Sequence, residues 1–214
     1  MGGYAFRPGA NYQNIWPIDR LYPKFMQNTQ VSTYTPLFPH HLELIGDRVR
    51  ADRAILPRSD VLPWLTPGDA GVFPGEMFRY ALLECFANGA RGLHFWSGRL
   101  WDTELLTAYA RVIRNVAPVE DIIVEGDLLT GAAAEPATRV SGMRRGHQMF
   151  LLVADYWKPP GTKAVKVTIP VDVESRVIDL DAGRDVALIK PDQNCFTVEL
   201  DRELARVFHV QPKQ

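Results

Sequence analysis

The chain has 214 residues, of which 46% are hydrophobic, so it is long enough for one large or two small domains with real cores. Its 24 basic and 25 acidic side chains give a formal net charge of -1, which offers no electrostatic reason to expect a nucleic acid or an anionic membrane as partner. No stretch reaches the roughly 18 apolar residues of a membrane span. The first residues lack the order of a signal peptide, and the cellular location is left open.

The two cysteines do not indicate a disulfide framework or a metal site. Cys85 falls in a helical pattern and Cys195 in a strand pattern, and neither has the spacing of a metal motif. We expect both to be core thiols, and we expect no metal and no cofactor. The chain has no dinucleotide-binding glycine motif, no phosphate-binding loop and no serine-nucleophile motif.

The first half of the sequence alternates short apolar strands with amphipathic helices. An early unit over 3–9 and 16–27 is weak, because Pro17 and Pro23 interrupt it. The spacing then predicts a strand over 31–38, a helix over 40–56, a strand from 60, a helix over 74–88, a strand over 92–95 and a helix over 103–116. This order is typical of βαβ units with a parallel sheet.

Each predicted helix has an apolar stripe that should be buried. The expected buried residues are Leu42, Ile45, Val49 and Ile55 in the first helix, Phe78, Leu82, Cys85 and Gly89 in the second, and Leu105, Leu106, Tyr109, Val112, Ile113 and Val116 in the third. On the second helix, an outer stripe is expected to consist of Glu76, Tyr80, Glu84 and Asn88. Asp102 occupies the position of an N-cap for the third helix.

From about residue 121 the apolar period changes to two. Strands are predicted over 147–156, 163–171, 175–180, 194–200 and 205–210, which together indicate an antiparallel β-sandwich. The small, poorly periodic segment 130–138 is predicted to be a linker or a long loop. The predicted domains are therefore 1–120 and 121–214, in the class α/β plus all-β. With only about four βα units, the first is half of a barrel or a small open sheet, since a full barrel usually needs about 200 to 250 residues.

Four segments carry a resemblance to a known group of proteins. They are FPGEMFRYALLECFANGARGLHFW, NVAPVEDIIVEG, LLVADY and VIDLDAG. In this order they resemble the C-terminal portion of glycoside-hydrolase-like barrel proteins followed by a small terminal β-sandwich. The resemblance is to this general pattern and to no single numbered family. It implies a partial (β/α)8 (TIM) barrel in which 31–38, 61–68 and 92–98 are the sixth, seventh and eighth strands.

The resemblance also implies a carbohydrate substrate and an incomplete catalytic apparatus. Glycoside hydrolysis ordinarily needs two carboxyl groups that flank one bond. Many retaining enzymes of this class place a nucleophilic Glu at the end of the seventh strand, where this chain has Trp64, Leu65 and Thr66. The general acid would lie upstream of Met1. The implied function is thus a fragment of a glycoside hydrolase that alone does not catalyse the reaction. The alternative is a non-catalytic carbohydrate-binding or interaction module that uses Tyr156 and Trp157 as its platform.

Most of the candidate substrate-binding residues lie where the predicted strands end. Trp64 and Trp96 offer indole faces on which the C–H faces of a sugar can pack, and Trp101 follows in the same loop. Further substrate-binding candidates are Arg99, Asp102 and Tyr34, the last close in sequence to His40 and His41.

The catalytic candidates are Asp69 and Glu76, although Asp69 also suits a turn and Glu76 also complements a helix dipole. His94 is predicted to be a hydrogen-bonded core histidine. Exposed half-barrel edges would favour a homodimer.

Overall fold

The structure is a computed structural model that describes residues 28–29, 39–56, 59–65, 67, 74–95 and 101–213. The chain divides into two compact units, Met1–Arg114 and Asn115–Gln214. The sequence places the domain boundary slightly later, at 120/121. The predicted strand over 31–38 and the early unit over 3–9 and 16–27 lie outside the described residues.

The first unit alternates parallel strands with helices. Its described elements are β1 (Asn28–Thr29), α1 (Pro39–Ile55), β2 (Asp60–Val61), β3 (Trp64–Leu65), α2 (Gly75–Ala87), β4 (His94–Phe95) and α3 (Thr103–Val116). β1 pairs in parallel with β2, and β3 pairs in parallel with β4. The segment 60–65 therefore has one parallel neighbour at its start and another at its end. This stepwise shift from one strand pair to the next is also found where parallel strands tilt around a barrel axis.

The three predicted helices are present within a residue or two of their predicted ends. Leu42, Ile45 and Val49 are fully buried on α1, as predicted, while Ile55 is half-buried. Phe78, Leu82, Cys85 and Gly89 are buried, as predicted for the second helix and its C-terminal turn. Burial of Cys85 raises the pKa of its thiol, and the neighbouring Glu84 raises it further. Cys195 is only half-buried, so the expectation of a core thiol there is met in part.

The expected outer stripe of the second helix is wrong. Tyr80, Glu84 and Asn88 are buried, and only Glu76 of the four is exposed. The Asn88 side-chain amide donates to the Glu84 backbone oxygen at 2.9 Å and to the Glu84 carboxylate at 3.0 Å, which satisfies part of the polarity of this covered face. The helical period identifies an apolar stripe, but it does not tell whether other elements cover the polar side.

On the third helix, α3, two residues that were predicted to be buried are instead exposed. Leu105 and Val112 are buried as predicted, but Leu106 is 52% exposed and Ile113 is 39% exposed. These two residues are one heptad apart and so lie on one face of α3. Leu106 and Ile113 therefore form an apolar strip on the described surface of the first unit.

The second unit consists mainly of two antiparallel sheets. After a 3-10 turn at Ala117–Val119 and the short helix α4 (Glu120–Glu125), its strands are β5 (Asp127–Leu128), β6 (Ala133–Glu135), β7 (Arg139–Arg145), β8 (Gln148–Ala154), β9 (Lys163–Thr168), β10 (Ser175–Asp179), β11 (Arg184–Ile189), β12 (Cys195–Leu200) and β13 (Ala205–Pro212). One sheet has the order β11-β10-β13-β8-β7-β5 and the other has the order β12-β9-β6.

Both sheets contribute to one apolar core. Met149, Leu151 and Val153 of β8 belong to the same buried cluster as Val165 and Val167 of β9. The alternate residues of β8, Phe150 and Leu152, are also fully buried. β8 is therefore a central strand buried on both faces, which explains its continuous apolar sequence.

A charged pair links three strands of the second unit. Asp179 of β10 is fully buried, and its carboxylate accepts a hydrogen bond from the Arg206 guanidinium of β13. Arg206 also donates to the Glu199 carbonyl of β12 at 3.2 Å. Because a buried carboxylate without a counter-charge is strongly unfavourable, Asp179 requires Arg206 in the folded state.

Four strands of the second unit were not predicted, and the two-residue β5 is one of them. The segment 130–138, predicted to be a linker or loop, contains β6, which pairs with β9 at the edge of the smaller sheet. Its small residues give no period-two signal. β7 was missed because glycine and arginines interrupt its apolar pattern, and β11 was missed because its outward face is exposed.

Gly142 of β7 permits the close approach of β7 and β8. A Cβ atom at this position would overlap with the Phe150 backbone oxygen and would lie 3.1 Å from the Leu151 side chain. The backbone oxygen cannot rotate away, unlike the end of a flexible side chain. We therefore expect Gly142→Ala to lower the free energy of unfolding by about 2 kcal/mol, measured by urea denaturation. Lys166→Ala at an exposed position of β9 is the control and should have little effect. Equal stability of both variants would contradict the close-approach argument.

His209 of β13 should make stability depend on pH. Burial lowers the pKa of its imidazole, and Nε2 lies 3.0 Å from the Gln148 side-chain oxygen. As the pH falls through the ordinary histidine range near about 6.5, the unfolded chain binds the proton before the folded chain does, so stability is lost. We expect His209→Gln to lose less stability between pH 7 and pH 5 than the wild type, measured by urea denaturation. Leu152→Val, which destabilises by packing alone, should keep the wild-type difference between the two pH values.

Candidate functional site

An aromatic pair is formed by the first residue of β3 and the first residue of β4. Trp64 and His94 are direct partners in the parallel register, and their rings stack with centroids 4.7 Å apart at an interplanar angle of 19°. Both residues are half-buried. A flat, partly accessible aromatic surface is therefore present on the two paired strands.

The opposite face of the same two strands packs against helices. Leu65 is 1% exposed. Phe95 contacts Phe78 of α2 and Tyr109 of α3, each with ring centroids 5.9 Å away. Since successive side chains of a strand point to opposite faces, Trp64 and His94 lie on the face that is turned away from these helices. In a barrel this is the inner face.

Trp101 has a packing role in the structure. Its ring makes edge-to-face contacts with Phe78, Phe95 and Tyr109 at centroid distances of 5.3, 4.8 and 5.7 Å. Such contacts stabilise an aromatic cluster between the strand and the two helices. Trp101 therefore belongs to the support of β4.

The amino ends of the strands carry an ion pair. The Arg91 guanidinium lies 3.0 Å from the Asp60 carboxylate, and the Arg91 N–H donates to the Val61 carbonyl at 3.0 Å. The His94 N–H donates to the Pro63 carbonyl at 2.9 Å, which continues the pairing towards the carboxyl end. These bonds fix the register that places His94 beside Trp64.

Glu76 lies on the helix side of the first unit. Its carboxylate is 3.2 Å from Arg79 and 3.3 Å from Arg111 of α3. The neighbouring Gly75 N–H donates to the Glu104 carboxylate at 2.5 Å, so Glu104 caps the amino end of α2. The structure thus surrounds Glu76 with guanidinium groups of the helices, and it does not bring this carboxylate to the Trp64–His94 pair.

Asp102 caps helix α3. The Leu105 N–H donates to the Asp102 carboxylate at 2.8 Å, and the Leu106 N–H donates to the Asp102 carbonyl at 3.1 Å. This is the capping arrangement that the sequence predicts.

The other four candidate site residues, Tyr34, Asp69, Trp96 and Arg99, lie outside the described residues. Sequence reasoning did not include His94 in the site. The available signal was its alternation with Leu93 and Phe95, which places it on the same face as Trp64 once the two strands are paired in register. His40 and His41 lie at the start of α1, with ring centroids 3.8 Å apart.

The described residues contain no group of three His, Cys, Asp or Glu side chains that could hold a metal ion. Among the helices in the described ranges, none is both long and apolar enough to cross a membrane.

The fold is similar to that of a solved glycoside hydrolase, and the comparisons with sequences find no match. No protein-family model matches the sequence, and no curated protein matches it. Among solved structures, a noncanonical maltogenic alpha-amylase from Thermotoga neapolitana matches 92% of this chain with a TM-score of 0.51 at 8% identity. The chain spans 57% of that amylase chain. At this identity the match establishes likeness of fold alone.

Two further matches have lower TM-scores. An endoxylanase from Clostridium papyrosolvens has a TM-score of 0.43 and 14% identity, with 92% of this chain and 61% of that chain covered. An alpha-fucosidase from Thermotoga maritima has a TM-score of 0.42 and 11% identity, with 75% and 46% covered. The predicted resemblance to glycoside hydrolases is confirmed at the level of a mixed α/β fold.

Proposed function

We propose that this chain is part of a carbohydrate-active barrel enzyme and that the Trp64–His94 pair contacts the sugar. The observation that carries the proposal is the stacking of these two rings on the strand face opposite the helices. The C–H face of a pyranose packs well on an indole, and the polar edge of the imidazole can exchange hydrogen bonds with a hydroxyl group. The proposal also includes Trp96, Arg99 and Asp69, which follow predicted strands in the sequence, and Tyr34, which lies within the predicted strand 31–38.

The first unit is proposed to be the C-terminal half of a (β/α)8 barrel. Two parallel strand pairings, each bridged by a helix, support this assignment, as does the likeness of fold to the Thermotoga neapolitana amylase. The second unit is proposed to be the terminal β-sandwich, supported by the core that its two sheets share.

The chain alone is proposed to lack hydrolytic activity. A glycosidase needs two carboxyl groups on either side of the scissile bond. Glu76 pairs with Arg79 and Arg111, and Asp102 caps α3, so neither of these carboxylates supports that role. The other catalytic candidate, Asp69, lies outside the described residues and would supply at most one of the two carboxyl groups. The proposal therefore assigns sugar contact to this chain, and bond cleavage to a pair of carboxyl groups that Glu76 and Asp102 do not form.

Replacement of Trp64 tests the sugar contact. We expect Trp64→Ala to weaken the binding of maltotriose or xylotriose about tenfold, because the apolar face of the sugar loses its partner. Trp64→Phe keeps a flat ring and should lose less. Binding is measured by isothermal titration calorimetry in chains that also carry Trp157→Ala, so that the exposed tryptophan of the second unit does not contribute.

Two results would contradict the proposal. One is unchanged affinity in Trp64→Ala, or no binding of either trisaccharide before the change, while thermal unfolding shows that the variants are folded. The other is hydrolysis of aryl glycosides by this chain unaided, which would contradict the division between sugar contact and bond cleavage.

We also propose that two copies associate through the first unit. Leu106 and Ile113 form an exposed apolar strip on helix α3, and covering such a strip is favourable. We expect a dimer by light scattering at micromolar concentration and a monomer after Leu106→Arg with Ile113→Arg. Val186→Arg with Leu188→Arg, on exposed apolar positions of β11, is the control and should leave the dimer intact. A monodisperse wild-type monomer would contradict the association.

A further inference from the structure

Four aromatic rings meet on the helix side of β4. They are Phe78 of α2, Phe95 of β4, Tyr109 of α3 and Trp101, which lies two residues before α3. Phe95 and Trp101 each contact the other three rings, at centroid distances between 4.8 and 5.9 Å and interplanar angles between 67° and 87°. These steep angles give the edge-to-face arrangement that aromatic rings prefer. Trp101 therefore connects β4 to both helices.

The surroundings of Trp101 hold its ring in place. The next residue, Asp102, caps α3 by accepting a hydrogen bond from the Leu105 N–H at 2.8 Å. On the other side of the ring, Phe78 is fully buried in α2 and gives Trp101 a fixed neighbour at 5.3 Å. Because both of these attachments belong to helices, Trp101 can act as a support for Phe95.

The backbone pairing of β3 and β4 is short. Each strand has two residues, and their register joins Trp64 to His94 and Leu65 to Phe95. A pair of this length has little stability of its own, so its backbone bonds alone do not prevent β4 from rolling about its axis. A roll would pull Phe95 out of the ring cluster and swing His94 away from Trp64, since the two side chains of β4 project from opposite faces. The packing of Phe95 therefore sets the position of His94.

Among the three rings around Phe95, that of Trp101 has the greatest influence on it. Its centroid lies 4.8 Å from that of Phe95, whereas the centroids of Phe78 and Tyr109 lie 5.9 Å away. Tryptophan is also the largest of the apolar side chains, so its removal would leave a large space beside Phe95. On the opposite face of the strands, the Trp64–His94 pair would then be free to separate.

We propose that Trp101 is a positioning residue for the Trp64–His94 pair, which it holds in its stacked arrangement through Phe95. Trp101 lies on the helix side of β4 and does not itself form the ligand-contacting surface. The proposal concerns the geometry of the pair. Its consequence for affinity rests on the proposed function, because a pair that is already stacked offers a sugar a pre-organised surface.

Nuclear magnetic resonance of the His94 imidazole in the full chain tests the proposal without a sugar. The ring protons are assigned by comparison with His94→Gln. Since a ring that stacks on an indole face is shielded by its ring current, these resonances should lie upfield in the wild type and lose this displacement in Trp64→Ala. We expect Trp101→Ala to remove about half of the displacement or more, because Phe95 loses its nearest ring. Trp101→Phe keeps an aromatic partner and should retain most of it.

Two further variants separate positioning from loss of stability. Val112→Ala removes fully buried volume from α3 without removing a ring, and it should keep the wild-type displacement. Trp101→Leu keeps most of the apolar volume but cannot make the edge-to-face contact, so it should lose displacement as Trp101→Ala does, and it replaces that variant if that variant does not fold. Circular dichroism and urea denaturation establish that each variant is folded.

Each result either supports or overturns the proposal. Loss of displacement in Trp101→Ala or Trp101→Leu, with retention in Trp101→Phe and Val112→Ala, supports it. Unchanged displacement in a folded Trp101→Leu overturns it, as does an equal loss in Val112→Ala or the absence of any displacement in the wild type.

Titration with the trisaccharides distinguishes this proposal from the proposed function. Weaker sugar binding by Trp101→Ala with an unchanged His94 displacement would place Trp101 in the contact surface and would overturn the positioning role. If the wild type shows the displacement and the Trp101 variants lose it, while neither trisaccharide binds, the proposed function fails and the positioning role of Trp101 stands.

Discussion

The register between segment 60–65 and segment 91–95 is the constraint on which the first unit depends. Hydrogen bonds from Arg91 and His94 to the backbone of 61 and 63 set this register, and the Asp60–Arg91 ion pair closes its amino end. Because successive side chains of a strand point to opposite faces, Leu65 and Phe95 face the helices, and Trp64 and His94 face away from them. A shift of either strand by one residue would turn His94 towards the helices and Phe95 away from them. Phe95 would then lose its packing contacts, and His94 would no longer lie beside Trp64.

The second unit follows a different constraint, since its strands are antiparallel and share one core. Its central strand β8 is buried on both faces, so the surrounding polar groups must find partners inside the unit. Asp179 forms an ion pair with Arg206, and Arg206 also donates a hydrogen bond to the backbone of β12 in the other sheet. One guanidinium therefore connects the two sheets as well as neutralising a buried charge, and this explains why an arginine, with its several donors, occupies the position.

Prediction from sequence succeeded where one stripe of apolar residues determines burial. Leu42, Ile45 and Val49 illustrate this, as do the alternating valines of β9. It failed where burial depends on what lies beyond the element: Asn88 is polar yet covered, and Leu106 is apolar yet exposed. It also failed at β6, whose alanines pair through backbone atoms and leave no trace in side-chain periodicity. Trp64 could be recognised from the sequence as an aromatic residue near the end of a predicted strand. The position of His94 beside it could not, because it depends on the register between the two strands.

The geometry of the Trp64–His94 pair favours binding over catalysis for these two residues. Stacking at 4.7 Å commits the faces of both rings to one another over much of their area, so in the proposal a ligand contacts the accessible parts of these half-buried rings. Catalysis at a glycosidic bond demands carboxyl groups on opposite sides of one carbon, a requirement that an aromatic surface cannot meet. In the proposed function, the aromatic surface holds and orients the sugar. That division of tasks is physically consistent with a chain in which Glu76 and Asp102 stabilise helices.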